Sequence, residues 1–298
     1  MNVLVIGGAG YVGASLCEAL SKRKDIDQVV IYDNMSRSNY NVFIGAEKLD
    51  DRFRFVEGDI LDSRKLRKVM DEAEIVYHLA AKVSTPFADQ DAHLFEQVNH
   101  WGTAEVCYAA ENSNVKKLIY TSSVSVYGSG DESKHVGQTT HPTTFYGISK
   151  LRGEDHVRRL DGKLSTSILR CGNVFGYHKS MRFDAVINKF MMEANFQGKI
   201  NIHGSGEQHR PFVHISHVTE RLISELDSME GSEITDLVDA NYSVMEIAEI
   251  VKALYPDLEM IFINQGLKLR ELNVKSDTEN RLELLREQLS IFKEEFTF

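Results

Sequence analysis

The chain has 298 residues, 42% of them hydrophobic and 26% charged, with a formal net charge of −10. That length allows one large or two modest domains with a sizeable core, and the acidic balance excludes a general nucleic-acid binder, which presents a basic face. No apolar run is long enough to span a bilayer, so no membrane partner is expected.

The first apolar run, Val3 to Ile6, fits a buried parallel strand, and a glycine-rich turn follows it with glycines at Gly7, Gly10 and Gly13. Gly7 permits a tight turn, Gly10 leaves backbone N–H groups open to a pyrophosphate, and Gly13 allows close helix packing. The helix N-terminus adds partial positive charge for phosphates. No basic segment precedes this run, so a signal peptide is not expected. Val12, Leu16, Ala19 and Leu20 then recur at helical spacing. A second strand, Gln28 to Tyr32, ends at Asp33, where a dinucleotide site places a carboxylate for the adenosine ribose. A 2′-phosphate would meet like charge there, which favours NAD over NADP, although Arg37 lies nearby; Asp33-Asn34 also reads as a turn-forming pair.

A third strand spans Phe53 to Glu57 and leads to Gly58-Asp59-Ile60, and Asp62 is placed to cap a helix reaching Met70. The fourth strand, Ile75 to His78, runs into Leu79-Ala80-Ala81-Lys82, whose small residues admit a cofactor close to the backbone. Residues 92–111 read as one long helix and Lys117 to Thr121 as a fifth strand. Strands alternating with helices imply a parallel, doubly wound sheet of Rossmann type, which binds ligands at the carboxyl ends of its strands. Strands are expected at Ser165–Arg170, Ile200–Ile202, Arg210–Ile215 and Ile234–Val238. Helices are expected at Phe183–Phe196, Val218–Leu226, Met245–Leu254 and 276–290. The expected division is a cofactor-binding domain over 1–171, regaining part of 210–240, and a smaller mixed substrate lobe over 172–298. Three scattered cysteines, Cys17, Cys107 and Cys171, read as reduced core thiols of a cytoplasmic protein. His209, His214 and His217 lack the tight pairing of zinc ligands, so no metal is expected.

The chemistry concentrates between residues 121 and 150. The fifth strand ends in Thr121-Ser122-Ser123-Val124-Ser125-Val126-Tyr127-Gly128, and Tyr146-Gly147-Ile148-Ser149-Lys150 follows. On a helix, Tyr146 and Lys150 share a face. A phenol near pKa 10 is a poor base at neutral pH, and a neighbouring ammonium is expected to lower that value and make Tyr146 a general base. Ser123 is placed to donate to the same substrate oxygen. Taken alone, Tyr-x-x-x-Lys is also an ordinary surface-helix pair.

GGAGYVG, Asp33-Asn34, Gly58-Asp59-Ile60, HLAA at 78–81, Asn99, TSSVSVYG at 121–128, YGISK at 146–150, LRCGNVFG at 169–176 and HRPFVHI at 209–215 occur in one order over about residues 1–230. With these the chain resembles the extended short-chain dehydrogenases/reductases, in their nucleotide-sugar epimerase/dehydratase branch, and is similar to UDP-glucose 4-epimerase-like members. The resemblance implies NAD held by Gly7, Gly10, Tyr11, Val12, Gly13, Asp33, Asn34, Asp59, Ile60, Leu79, Ala80, Ala81, Lys82 and Asn99. Asp59 and Ile60 border the adenine, and Asn99 supports the Tyr–Lys pair. Tyr146 is implied as base, Lys150 as holder of the nicotinamide ribose and Ser123 as the group orienting the reacting hydroxyl. Asn173 and Arg210 are implied to face a substrate diphosphate, which suits a guanidinium fork, and Ser84-Thr85 to line the sugar pocket.

One departure sorts the chemistry. Dehydratases of this family follow the hydroxyl residue with acidic residues, typically Asp-Glu, and decarboxylases carry Glu at the second position. Here Val124 and Ser125 stand there, which disfavours elimination. The expectation is an NAD-dependent 4-epimerase of a nucleotide-diphosphate sugar. A C4 dehydrogenase or 4-ketoreductase with the same Ser–Tyr–Lys set is the alternative, ahead of a 4,6-dehydratase or a dinucleotide sensor without catalysis. A homodimer is expected through helices near 92–111 and 147–160, at positions such as Val106, Ala109, Ala110 and Val157.

Overall fold

The chain's structure is a computed structural model that describes residues 1–44, 49–83, 92–228, 231–264 and 271–296. The first half builds β1 (Asn2–Ile6), α1 (Tyr11–Ser21), β2 (Gln28–Asp33), β3 (Phe53–Glu57), α2 (Ser63–Met70) and β4 (Ile75–His78). It continues with α3 (Ala92–Phe95), α4 (Gly102–Glu111), β5 (Lys117–Ser123), β6 (Gly130–Lys134) and α5 (Phe145–Arg158). The second half adds β7 (Ser165–Cys171), β8 (Asn173–Phe175), α6 (Val186–Gln197), β9 (Lys199–His203), β10 (His209–His214) and α7 (Ile215–Ser224). After these come β11 (Ser232–Leu237), β12 (Ala240–Ser243), α8 (Val244–Leu254), β13 (Glu259–Ile263), β14 (Leu272–Val274) and α9 (Arg281–Glu294).

Seven strands form one sheet in the order β11-β7-β5-β4-β1-β2-β3, and every pair is parallel. This is the doubly wound Rossmann arrangement expected from the sequence, and its order reverses between β1 and β4, the crevice where such sheets take their ligands. Side-chain alternation explains the two covered faces. Val3 and Val5 of β1 join α1 and α7 in one core, while Leu4 and Ile6 join α2, α4 and α5 in the other. Each fully buried aliphatic side chain contributes about 1.5–3 kcal/mol. The Asp62 side chain accepts from Lys65 N at 3.1 Å and starts α2 as its sequence position implies.

A third core gathers Phe175, Phe190, Phe212, Tyr242, Ile247 and Phe292 from the second half. Strand β11 leaves that lobe and completes the main sheet beside β7, while β10 stays between β12 and β8. The tail returns to the site: β14 pairs with β6, and Leu272 and Val274 pack on Val124, Val126 and Tyr127. No helix among the described residues is long and apolar enough to cross a membrane.

Two expectations need correction. Residues 92–111 are not one α-helix: a π-helical turn, Glu96–Trp101, separates α3 from α4. The widened turn sinks Asn99 into the interior, where it has backbone and side-chain partners. In addition, Val106, Ala109, Ala110 and Val157 lie in this chain's own core, at 0%, 4%, 1% and 0% exposure, so they present nothing to a second chain. The exposed aromatic groups of this face are Trp101, Tyr108 and Phe145.

Candidate active site

The glycine turn closes against the end of β4. Gly7 has φ +84°, and a Cβ there would stand 2.5 Å from Ala80 N, so only glycine fits. Leu79 N and Ala80 N both donate to Ile6 O, at 2.9 and 3.0 Å, which pins the two strand ends together. Gly13 packs on the backbone of Gly7 and Gly8, inside the turn itself and not on a strand. At Gly10 a Cβ would meet only Gly7 O within 4 Å; beyond it lies open space above the start of α1. That helix has no side-chain cap and no acid in its first turn, a cradle that fits a pyrophosphate.

Asp33 Oδ2 accepts from Ala9 N at 3.1 Å and Oδ1 from Met35 N at 2.8 Å. It is therefore a turn residue and a tie to the glycine loop at once, and each carboxylate oxygen keeps a lone pair for a ribose hydroxyl. Burial raises its pKa, opposed by these two backbone donors. Asn34 Nδ2 donates to Asp59 Oδ2 at 2.8 Å, joining the ends of β2 and β3. Two implied cofactor contacts differ from expectation. The Ile60 side chain is buried in the sheet core, so it has only backbone to offer an adenine. The Tyr11 phenol is buried and donates to Gly176 O at 2.5 Å, so its side chain links α1 to the substrate lobe. Val12 packs between two cores.

The Thr144 hydroxyl caps α5 by accepting from Gly147 N at 3.0 Å, which sets Tyr146 in the first turn. Gly147 lets this turn approach β5's end: a Cβ there would lie 2.5 Å from Ser125 O. Tyr146 thereby comes near Ser123, whose hydroxyl favours its phenolate and donates to Ser125 Oγ at 3.2 Å. One turn on, the buried Lys150 Nζ donates to Thr121 O at 2.6 Å and lies 4.2 Å from the Tyr120 ring centroid. Asn99 exchanges two bonds with the Lys82 backbone, both 2.9 Å, and donates to Ser149 Oγ at 3.1 Å. Thus Ser123, Tyr146, Lys150, Asn99 and Lys82 converge at the ends of β4 and β5.

The electrostatics refine the expectation for Tyr146. Burial raises its pKa, opposed by the Ser123 hydrogen bond and the positive charge of Arg182. Lys150 is itself lowered to about 7 by burial, with Cys171 and Glu154 acting the other way. The phenol is therefore not lowered as the Tyr-x-x-x-Lys pairing suggested, because the ammonium is turned toward Thr121 O and its own desolvation weakens its charge.

Asn173, two residues past the β7 position level with Ser123, donates from Nδ2 to Pro211 O at 3.0 Å. Arg210 is half-buried on β10, paired in register with Tyr242. Ser84 and Thr85 lie outside the described residues. Arg182, forked onto Asp184 at 2.9 and 2.8 Å, escaped the sequence reading because nothing local ties it to Tyr146. Among the described residues no group of three or more His, Cys, Asp or Glu is arranged to hold a metal ion.

Comparison with known proteins places the chain in a family and matches its fold. The family model described as the NAD dependent epimerase/dehydratase family matches residues 3–235. A dTDP-D-glucose 4,6-dehydratase of Mus musculus is 29% identical over 284 residues, 94% of this chain and 76% of that protein. A UDP-glucose 4-epimerase of Erwinia amylovora is 29% identical over 279 residues, covering 84% and 81%. The solved UDP-glucuronic acid 4-epimerase of Bacillus cereus, in complex with UDP-glucuronic acid and NAD, superposes with a TM-score of 0.81. It is 22% identical and covers 99% of this chain and 98% of its own.

Proposed function

The chain belongs to the NAD dependent epimerase/dehydratase family, and from that premise we propose that it is a nucleotide-sugar 4-epimerase. The observation that carries this reading is the convergence of Ser123, Tyr146 and buried Lys150 at the end of β5, with Val124 and Ser125 on the two positions that follow Ser123. NAD, when bound, supplies reversible hydride exchange at the sugar carbon. Gly7, Gly10, Gly13 and the start of α1 hold its pyrophosphate, Asp33 its adenosine ribose, and Lys150 its nicotinamide ribose.

In this reading the Tyr146 oxygen, as phenolate, takes the proton of the C4 hydroxyl and returns it after the 4-keto sugar has presented its other face. Ser123 fixes the reacting oxygen, and Lys150 stabilises the phenolate while charged. Asn173 and Arg210 hold the substrate diphosphate. Residues 1–171 with β11 form the cofactor side, and the remainder of 172–298 forms the substrate lobe. Two chains meet through the face bearing Trp101, Tyr108 and Phe145, which sedimentation of the purified protein checks. The likeness to 4,6-dehydratases is set against Val124 and Ser125, neither of which moves a proton as a carboxylate does.

The test is to incubate the NAD-loaded protein with UDP-, GDP-, CDP- and dTDP-sugars and read products by NMR. Conversion of one sugar to its C4 epimer without net NADH supports the reading. A keto sugar with stoichiometric NADH makes the protein a dehydrogenase, and loss of the C6 hydroxyl makes it a dehydratase.

A further inference from the structure

The stripe of α5 that carries Tyr146 and Lys150 continues, four residues at a time, with Glu154 and Arg158. Glu154 is fully buried. Its Oε1 accepts from Ser122 Oγ at 2.6 Å and from Arg170 Nε at 2.9 Å. Its Oε2 accepts from Arg170 Nη2 and Arg158 Nη2, both at 2.7 Å. Arg170 Nη1 donates onward to the Tyr127 hydroxyl at 2.9 Å, which donates to Asp236 at 2.8 Å. One buried chain of charge therefore joins α5 to β5, β7, β11 and the turn that follows Ser123.

A buried ion pair is a weak source of stability, because desolvation offsets much of its attraction. Its particular property is geometry: a forked guanidinium–carboxylate pair fixes rotation as well as separation. Ser122, the residue next to Ser123, is bound to the same carboxylate, so the reacting hydroxyls of both elements are referenced to one point.

We infer that Glu154 is a positioning residue for this reaction: gripping Arg170 and Ser122, it sets the height and rotation of α5 so that Tyr146 meets Ser123 above Lys150. The inference rests on the reading of Ser123, Tyr146 and Lys150 given above. Glu154 also acts by charge. The groups that face Lys150 are His78 from β4, Tyr120 from β5, Cys171 from β7, and Tyr146 and Glu154 from its own helix. Burial holds His78 neutral, its pKa down to about 3, and lifts the Cys171 thiol to about 12. Glu154 thus supplies the carboxylate that favours the Lys150 ammonium.

Glu154→Gln keeps the shape and removes the charge. In NAD-loaded protein, phenolate absorbance is read against pH as the difference from the matching Tyr146→Phe protein. The midpoint is expected to rise by about one unit, because a loosened α5 draws Tyr146 away from the Ser123 hydroxyl that favours its phenolate. With UDP-glucose as probe, kcat is expected to fall about tenfold with KM little changed, the pattern of a lost transition-state interaction. A purely structural role would lower the yield of folded protein and leave both midpoint and kcat per folded molecule at wild-type values; that result overturns the inference. Should the Gln variant fail to fold, Glu154→Asp decides: the shortened reach raises the midpoint and lowers kcat, and wild-type values of both refute positioning. A wild type inactive on UDP-glucose would count against the epimerase reading for that sugar alone, because the phenolate midpoint needs no substrate.

Discussion

At Tyr146, burial and hydrogen bonding pull in opposite directions. Burial favours the neutral phenol, while Ser123 and Arg182 favour the phenolate. Replacing Tyr146 by Phe removes the oxygen that would carry the proton and leaves the glycine cradle and Asp33 intact. Turnover is expected to fall by at least about 10²-fold, the usual contribution of a general base, while NAD still copurifies; undiminished turnover would remove Tyr146 from this role. His78 behaves differently. It is buried with Nε2 2.9 Å from Thr103 Oγ1, and the Thr103 hydroxyl is already donating to Asn99 O at 2.7 Å. Nε2 must therefore donate, which leaves Nδ1 bare, and it has no hydrogen-bond partner. Burial and the Lys150 charge depress its pKa to about 3. A depressed histidine binds its proton more readily when unfolded. Stability is accordingly complete above the ordinary value of about 6.5 and is lost as pH falls toward 3, by up to about 1.4 kcal/mol per unit. Denaturant unfolding at several pH values, compared with a His78→Gln variant, checks this; equal slopes for the two proteins would contradict it.

At the scale of single elements, α5 carries Tyr146 and Lys150, to which the proposed chemistry is assigned, and its register depends on its cap, Thr144. Thr144→Ala removes the side-chain acceptor for Gly147 N and is expected to cost about 1 kcal/mol in denaturant unfolding. Its effect on turnover should exceed that of an equally destabilising change in α8, because Tyr146 sits in the frayed turn. The glycine turn allows less adjustment. A Gly7→Ala methyl would strike Ala80 N and force a positive φ on alanine, so the purified protein is expected to lose its NAD; full NAD content would contradict the close packing.

These elements also show what the sequence discloses. The apolar runs ending at Gly7, Asp33 and Leu79 are legible because buried parallel strands are continuous apolar runs stopped by turn residues. The Asp62 cap and the Tyr146–Lys150 face follow from local spacing alone. The π-helical turn at Asn99 is not legible, since its cause is the pull of Lys82 and Ser149, which lie 17 and 50 residues away. Glu154 left one trace, the four-residue spacing after Lys150. Its partner Arg170 lies on another strand, and only the packed structure joins them.

Across the whole molecule, the chain crosses between its two halves several times, which ties the site together. Strand β11 returns to the main sheet beside β7, and Asp236 on it receives the Tyr127 hydroxyl. Strand β14 pairs with β6 and packs Leu272 and Val274 beneath the turn after Ser123. Residues near the end of the chain therefore support the turn that follows Ser123, although their sequence has no recognisable motif. Deleting residues 271–298 is expected to lower turnover more than NAD content, because it strips that support and leaves the cradle of Gly7 to Gly13 untouched. The central claim is that hydrogen leaves C4 of the sugar and comes back to the same carbon without leaving the protein. The most direct measurement uses the nucleotide sugar that the NAD-loaded protein converts, labelled with deuterium at C4. The expected result is an epimer that retains its deuterium at C4 in ordinary water, with no labelled NADH released; loss of the label to solvent, or its accumulation on free NADH, would contradict the account.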